Sequence, residues 1–586
     1  MKLDQHRPRN ATGVRPWWWA IAWGCILASL YLPSLTTRFD FIDDGNLVYP
    51  APSMPFADRV ALTWSKVIAN YNDLGPFRPV LWAHWEVQAD LFAASAVRWR
   101  LARLLWTLVA AATFLSLLIT LRIRPGVAVF TTALAMWNPW RNEIWRSLTL
   151  SEGVAMPYAV TALVCAPRAA RDSRPWRWDL AGAACMLAAV GCKNTFAALV
   201  PAQALLRVAP DGRDLRAGWR RHGCAVIALS LVLLVPIAHF VIYLLHWHPG
   251  QYVVGAPSLA QLGALLRAIL GAVSIGFMAP GLLLAGFAVV AAQSADSTER
   301  SRTWTDRLGW HEYRGAWLVG LLLMAFGIAV YLPIQGVAGR YSIPAAWGAD
   351  LWIAALLSTL ADGSHSRWRT AAAVALAAGL VAVAVASLGS QDKFAARARV
   401  LWQALEFVEH TAPRGTCLAW VAGPDLNIAE GIHFSWHLTG RGRSDLCVQL
   451  LDDHEVRQER PEVPHSDQVP TFAISGGHQA LDNVRWRQVG EFSTSYWAGT
   501  RQQRIVLWAA HDLHDVRFDA DVRLATPPIS PATAVARATA RFAPPVTTAT
   551  LPRSSIRYSP GDRVRARSPT ALHYSSPSQR VQRLGG

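Results

Sequence analysis

The sequence predicts a mainly α-helical, polytopic membrane bundle, followed by a small α/β domain and a tail too polar to build a core. Three observations carry this. Of 586 residues, 52% are hydrophobic and only 16% are charged, whereas a soluble domain has roughly 25% charged residues. The apolar residues are gathered into long blocks, not into the period-2 or period-3.6 patterns of half-buried strands and helices. Beyond Ser390 the blocks stop and mixed polar sequence begins. A secreted disulfide scaffold, a coiled coil and a cytosolic enzyme are all excluded.

A bilayer crossing takes about 20 apolar residues, within a range near 17–25. By that measure about eleven spans are predicted: Trp17–Leu35, Arg103–Leu121, Gly126–Trp140, Val154–Pro167, Leu180–Cys192, Thr195–Leu206, Gly223–Leu245, Gly263–Ala292, Gly315–Pro333, Ala345–Leu360 and Thr370–Leu388. The first follows an N-terminal tail, 1–16, that carries Lys2, Arg7, Arg9 and Arg15. Its apolar run is too long, and too poorly followed by an Ala-x-Ala site, for a cleaved signal peptide. Pro280-Gly281 is a break point inside the eighth span, which leaves the parity of the count open.

Charge sets the orientation. The net charge is +17, and of 56 basic residues only Lys2, Lys66, Lys193 and Lys393 are lysines. The arginines are scattered between spans and along the tail, not placed on a patch with interleaved aromatics, so a nucleic-acid partner is not expected. The predicted inner segments hold 21 basic residues and the outer segments 10. Short-loop positive charge favours the cytoplasm, which puts the loop 36–102 and everything after Leu388 outside. The 28 tryptophans suit interfacial anchoring of many spans. The expected place is a bacterial inner membrane, crossed many times, with a periplasmic C-terminal domain.

That domain, 390–525, has strand-like runs at Thr416–Val421, Thr471–Ile474 and Arg504–Trp508, and helix-like stretches at Ala395–His410 and Ile428–Leu438. The bundle domain is 17–389. Residues 526–586 hold nine arginines and one aspartate among Pro, Ser and Thr; they read as a disordered basic tail, suited to anionic lipid or outer polysaccharide. Cys25, Cys165, Cys185, Cys192 and Cys224 lie in or beside spans and read as small buried hydrophobes. Cys417 and Cys447 are alone in the outward domain, where an oxidising compartment permits a bridge; sequence does not give their distance.

Polar chemistry collects on the predicted outer face. The segment FDFIDDGN, residues 39–46, follows span 1 and places Asp43 and Asp44 side by side, with Asp40 ahead of them. Partial desolvation and mutual repulsion raise a carboxyl pKa, which suits a general base; a tight Asp-Gly turn is the structural alternative. In Phe56–Tyr71, apolar residues recur at helical spacing (Phe56, Val60, Trp64, Val67, Ile68, Tyr71), as in a helix lying in the interface. Arg78 stands in PFRPV as a fixed cation for a phosphate or for the Asp pair. Glu143 and Glu152 flank Arg146 in the loop after span 3 and can orient an acceptor, hold a divalent metal, or pair with Arg141, Arg146 or Arg78. Lys193, between spans 5 and 6, is a compact ammonium near the bilayer, suited to a lipid-linked phosphate or to snorkelling. GRYSIP, residues 339–344, adds Arg340 and Tyr341. His246 and His248 have i, i+2 spacing, a poor metal signal, and are left out of the site.

In this order, an acidic pair after span 1, a Phe-Arg-Pro loop, an Asn-Pro…Glu…Glu loop, a Lys between short spans and an Arg-Tyr-x-x-Pro before a late span, the chain resembles the GT-C membrane glycosyltransferases over residues 17–388. It is most similar to the O-mannosyltransferase-like branch, including the transmembrane proteins with tetratricopeptide repeats and their bacterial relatives. The resemblance implies a polyprenyl-phosphate sugar donor and an inverting transfer to a hydroxyl of a glycan, lipid or protein acceptor in the cell envelope. It implies Asp43 as catalytic base, with Asp44 as alternative or orienting neighbour. Glu143, Glu152 and Tyr341 fall where acceptor contacts are expected, and Arg78, Lys193 and Arg340 where the donor phosphate is held. The chain departs from the branch in having no tetratricopeptide repeats and no Asp-x-Asp in the second loop, so a divalent metal stays open. Rival readings are an O-antigen polymerase or ligase, which is expected to use arginines and histidines of later loops, a transporter, for which mid-membrane charges and repeated halves are missing, and a scaffold whose functional part is the C-terminal domain.

Overall fold

A computed structural model describes residues 24–25, 28–29, 31–35, 37–41, 54–72, 77–93, 95–212, 214–245, 258–272, 281–286, 310–333, 339–362, 367–423, 426–452, 470–477, 481, 486–496 and 501–510. Most of the predicted first span and the whole of the basic tail lie outside them.

Helices dominate. After a single turn, α1 (Leu32–Leu35), come α2 (Phe56–Asn72), α3 (Pro79–Phe92), α4 (Ala96–Thr120), α5 (Pro125–Trp137), α6 (Asn142–Arg146), α7 (Ser151–Arg171) and α8 (Pro175–Cys192). A 3₁₀ turn at Asn194–Leu199 leads into α9 (Val200–Val208), followed by α10 (Leu215–Leu245), α11 (Leu259–Ala272), α12 (Trp310–Tyr331), α13 (Ile343–Asp362) and α14 (Arg367–Thr411). Among the described residues, four helices are long and apolar enough to cross a membrane: Ala96–Thr120, Trp310–Tyr331, Ile343–Ala361 and Arg369–Thr411. They coincide with the predicted spans at 103–121, 315–333, 345–360 and 370–388.

Local sequence sets the helix ends. Proline stands in the first turn of α3, α5, α8 and α9, where a missing N–H costs nothing. At the end of α4, Arg122 takes φ +66 and Ile123 N–H reaches back to the Leu118 carbonyl at 3.0 Å, a C-cap that turns the chain before Pro125. The predicted span 195–206 is not one helix. The chain stays extended at Lys193 and then makes a six-residue 3₁₀ turn and the nine-residue α9, because Lys193 turns aside to an ion pair and Pro201 starts a new helix. The predicted span 370–388 and the separate helix 395–410 are one 45-residue helix, α14. Nothing in 389–394 breaks it, and its last turns carry Leu401, Leu405 and Val408 into the core of the next domain.

Residues of α2 divide between two environments. Arg59 is buried, bound to Asp90 (3.0 Å), Glu86 (3.3 Å) and the Met54 carbonyl (2.9 Å), and Val67 is buried with it. Phe56, Val60, Trp64 and Ile68 stay exposed. An apolar face without protein cover and a polar face clamped to α3 fit a helix in the bilayer interface.

The C-terminal part is a five-stranded mixed sheet in the order β2-β1-β3-β5-β4, with β1 Cys417–Ala422, β2 Cys447–Asp452, β3 Phe472–Gly476, β4 Trp486–Tyr496 and β5 Arg501–Ala510. Strands β1 and β2 are parallel and joined through α15 (Ile428–Gly440), the crossover that parallel strands require. β1 reads CLAWVA without polar alternation because both its faces are covered. One face meets α14 and α15 through Leu418 and Trp420, and the other packs with Val506 and Trp508. A disulfide joins Cys417 to Cys447, which face each other in the β1–β2 register with Cα atoms 4.6 Å apart. Closing a loop of 30 residues removes disorder from the unfolded chain. Replacing both cysteines with serine should therefore destabilise this domain by about 2–4 kcal/mol, as read by denaturant unfolding followed at its tryptophans, while reducing agent shifts the wild type alone.

Candidate functional site

Two polar clusters gather the residues that the sequence singles out. The first lies where α8 ends. Lys193 caps α8 in an extended conformation, φ −154 and ψ 113, which turns its side chain out of the helix line. Its ammonium pairs with the Glu152 carboxylate and sits 4.4 Å from the centre of the Tyr341 ring. Glu152 is in the first turn of α7, where the helix dipole favours a negative charge, and accepts a second bond from Ser151 Oγ at 3.2 Å. The Tyr341 ring lies 5.5 Å from that of Tyr331, whose hydroxyl donates to Thr195 Oγ1 at 2.7 Å. Lys193 is 6% exposed and Glu152 2%. Segments far apart in sequence thus converge on one buried ion pair.

Close packing holds this end of the bundle. A Cβ at Gly153 would strike the Ile144 carbonyl and the Arg103 guanidinium, so only glycine lets the start of α7 lie against α6. Arg78 flanks α3 and stands within electrostatic range of Tyr331 and Cys192. Its buried Nε has no hydrogen-bond partner among the described residues.

The second cluster joins the bundle to the sheet domain. Asp40 is buried, accepts the Phe41 N–H at 2.8 Å, and lies in the field of Arg397, Arg100 and Arg146. Burial pushes its carboxyl above the usual carboxylate range, against the pull of these guanidinium groups. Arg100 binds the carbonyls of Thr37 (3.0 Å), Arg38 (2.9 Å) and Arg146 (2.9 Å). Arg146 binds Ser390 Oγ at 2.8 Å, and Arg397 binds Glu430 Oε1 at 2.6 Å. The Phe394 ring lies under both Arg100 and Arg146, at 5.2 and 4.9 Å. Beside Asp40, Phe41 is fully buried among Trp402, Phe434 and His437, with ring centres 5.4, 5.7 and 4.6 Å away. Trp402 Nε1 donates to the Phe39 carbonyl at 2.7 Å.

Of the predicted site residues, Glu152, Lys193 and Tyr341 are brought together, with Arg78 nearby. Glu143 belongs to the other cluster, acting on Arg146 and Arg397. Arg340 lies in the 3₁₀ turn Gly339–Ser342, and only its backbone is described. Asp43, Asp44, His246 and His248 lie outside the described residues. Two partners differ from the structural pairing considered for the acids. Arg141 takes Asp350 in a buried two-pronged bridge (2.6 and 3.0 Å), and Glu152 takes Lys193. Sequence reasoning gave no role to Arg100, Arg397 or Asp350. An aspartate inside the predicted span 345–360 was the available signal for the last, and it corrects the expectation that charges are missing from mid-membrane. No group of three or more His, Cys, Asp or Glu side chains is placed to hold a metal ion among the described residues.

No protein-family model matches the chain, and no curated protein matches it. Among solved structures it is similar to ArnT from Cupriavidus metallidurans bound to undecaprenyl phosphate, at 13% identity and a TM-score of 0.45, over 85% of this chain and 99% of that one. The apo structure of the same protein gives 12% identity and a TM-score of 0.43, over 84% and 98%. At TM-scores below 0.5, neither likeness assigns a function to this chain.

Two measurements check the clusters. Removing one partner of a buried pair strands the other charge, at a cost of about 3–5 kcal/mol. Lys193→Met should lower the unfolding midpoint strongly in detergent, and Lys193→Met with Glu152→Gln should recover part of the loss, giving a non-additive cycle. Burial, then His433, holds the His437 imidazole down to about 3. The folded protein therefore disfavours its protonation, and this contribution to stability is complete above the unfolded value near 6.5 and falls as pH drops toward 3, by roughly 1.4 kcal/mol per pH unit. His437→Phe should flatten the pH dependence of unfolding between those limits.

Proposed function

We propose that this chain is an integral-membrane glycosyltransferase of the GT-C type. It moves a sugar from a polyprenyl-phosphate donor to a hydroxyl of a glycan, lipid or protein acceptor on the outer face of a bacterial inner membrane. The observation that carries the reading is the convergence of Lys193, Glu152 and Tyr341, with Arg78 beside them, at one end of a bundle of apolar helices. A lipid-linked phosphate needs cations at the membrane edge, and charged groups buried among apolar helices are costly and commonly functional. The Cys417–Cys447 disulfide supports an oxidising compartment for the domain 390–525, with the bundle 17–389 carrying the chemistry and 526–586 as a basic tail.

In the proposed reaction Asp43, two residues beyond the enclosed Phe41, accepts the acceptor's hydroxyl proton, with Asp44 as its neighbour or substitute. The acceptor oxygen bonds to the anomeric carbon as the bond from that carbon to the phosphate oxygen breaks, and the configuration inverts. The electron pair leaves with polyprenyl phosphate, where Arg78, Lys193 and Arg340 stabilise the growing charge. Glu143, Glu152 and Tyr341 are the acceptor-side groups of this reading.

Mass spectrometry of cell-envelope glycans and glycolipids tests it in a deletion strain complemented with wild type or with Asp43→Asn. One sugar-sized mass increment should vanish in the deletion and in the mutant and return with wild type, the mutant protein keeping its Cys417–Cys447 bridge. Full rescue by Asp43→Asn would move the base to Asp44. Unchanged glycans in the deletion would end the transferase reading.

A further inference from the structure

At the opposite kind of site, in a segment that the charge pattern assigns to the inner face, the ends of α9 and α10 enclose an open cavity of about 590 Å³. Its geometry begins in the turn between them. Gly212 (φ +68) and Asp214 (φ +51) reverse the chain, and the Gly218 N–H closes the first turn of α10 on the Asp214 carbonyl at 2.8 Å. A Cβ at Gly218 would collide with the Val208 carbonyl, so glycine is what brings the two helices into backbone contact. The floor of the cavity is apolar, made of Ala204, Leu205, Val208 and Leu215. Arg216 and Arg220, one turn apart on α10, stand at its rim with Trp219 between them.

The charges here do not balance locally. Arg207 is bound to Asp179 at 2.7 and 3.0 Å, and Asp211 is shared by Arg122 (3.0 Å) and Arg171 (2.9 Å). Arg216 and Arg220 are exposed and make no ion pair or hydrogen bond among the described residues. Both lie in the first two turns of a 31-residue helix, where the helix dipole adds positive potential; the exposed Asp214 ahead of it offsets one cation, and with Arg221 the stretch 214–221 stays net positive. Trp219 is 51% exposed, as an aromatic at headgroup depth is.

We propose that this groove binds an anionic phospholipid. The phosphate and the net negative charge of its headgroup meet Arg216 and Arg220, one acyl chain lies along the apolar floor, and Trp219 marks the depth of the interface. A free anion would leave the floor without an occupant. A zwitterionic lipid would bring its own cation to the two arginines. The proposal is independent of the transferase reading, since it uses none of those residues.

The test is native mass spectrometry of the full-length protein released from nanodiscs of phosphatidylcholine with a minority of phosphatidylglycerol. Wild type should retain phosphatidylglycerol in preference to phosphatidylcholine, and excess inorganic phosphate should not displace it. Arg216→Ala with Arg220→Ala should lower that preference on the order of tenfold. Leu205→Trp, which fills the floor and keeps both arginines, should lower it as well. Arg174→Ala with Arg177→Ala, which removes the same charge from the exposed start of α8, should leave it intact. Equal retention of both lipids, an equal loss in the Arg174/Arg177 control, full retention in the Arg216/Arg220 variant, or displacement by phosphate would each overturn the proposal. Exposed arginines contribute little to folding, and an unchanged unfolding midpoint shows that the variants are folded.

Discussion

A carboxylate taken out of water stands only where cations and hydrogen bonds replace its hydration, and Asp40 imposes that constraint on three parts of the chain at once. Arg100 comes from α4, Arg146 from α6 and Arg397 from α14, and all three act on the same group. None of these arginines is spent on Asp40 alone. Arg100 also holds the carbonyls of Thr37, Arg38 and Arg146, Arg146 also holds Ser390, and Arg397 also holds Glu430. Displacing any one of them would weaken the field on Asp40 and also strip a second group of its partner: backbone carbonyls for Arg100, Ser390 for Arg146 and the Glu430 carboxylate for Arg397. The junction is thereby fixed as a unit: residues 37–41, the adjoining ends of the bundle helices, and the sheet domain.

The aromatic packing beside it follows the same logic with a different force. Phe39 and Phe41 leave the bundle and enter the core of the C-terminal domain, where Trp402, Phe434 and Leu405 surround them. A fully buried phenylalanine is worth about 1.5–3 kcal/mol. Two of them, seated in another domain's core, tie the segment FDF firmly to that domain even though it carries a buried aspartate. The continuity of α14 through residues 389–394 makes this possible, because one rigid helix carries bundle contacts at Ser387 and domain contacts at Leu401.

How much of this could be read from the sequence divides along physical lines. The long apolar blocks gave the helices 96–120, 310–331 and 343–362 closely, because twenty apolar residues have few other stable forms. The strand runs at 416–421 and 471–474 sit within a residue or two of β1 and β3, since continuous apolar runs between turns mark covered strands. Helix continuity was harder to see. Gly389 and Ser390 look like a boundary, yet tertiary contacts at Asn142 and Arg146 hold the helix through them. Partners were the least legible. Glu143 and Glu152 are nine positions apart and read as one motif, but helix α6 and the start of α7 direct them to different clusters. Asp350 and Arg141 are separated by 209 positions, and nothing local to either names the other.

Lysine at position 193, in a chain with few lysines, has a physical explanation in the bundle-end cluster. A guanidinium is planar and spreads its five donors in a fork, whereas an ammonium is a compact point charge. Between the Glu152 carboxylate and the face of the Tyr341 ring, 4.4 Å away, the space suits the point charge. Lys193 is then largely neutralised by Glu152, and Arg78 remains as the cation whose buried Nε has no partner among the described residues. On the proposed reaction this division matters. A donor phosphodiester carries one negative charge and the departing phosphate gains more, so a cation left uncompensated before the reaction stabilises the product side of the transition state more than the substrate. On that reading the Lys193–Glu152 pair leaves Arg78, whose buried Nε has no hydrogen-bond partner among the described residues, as the cation that favours departure.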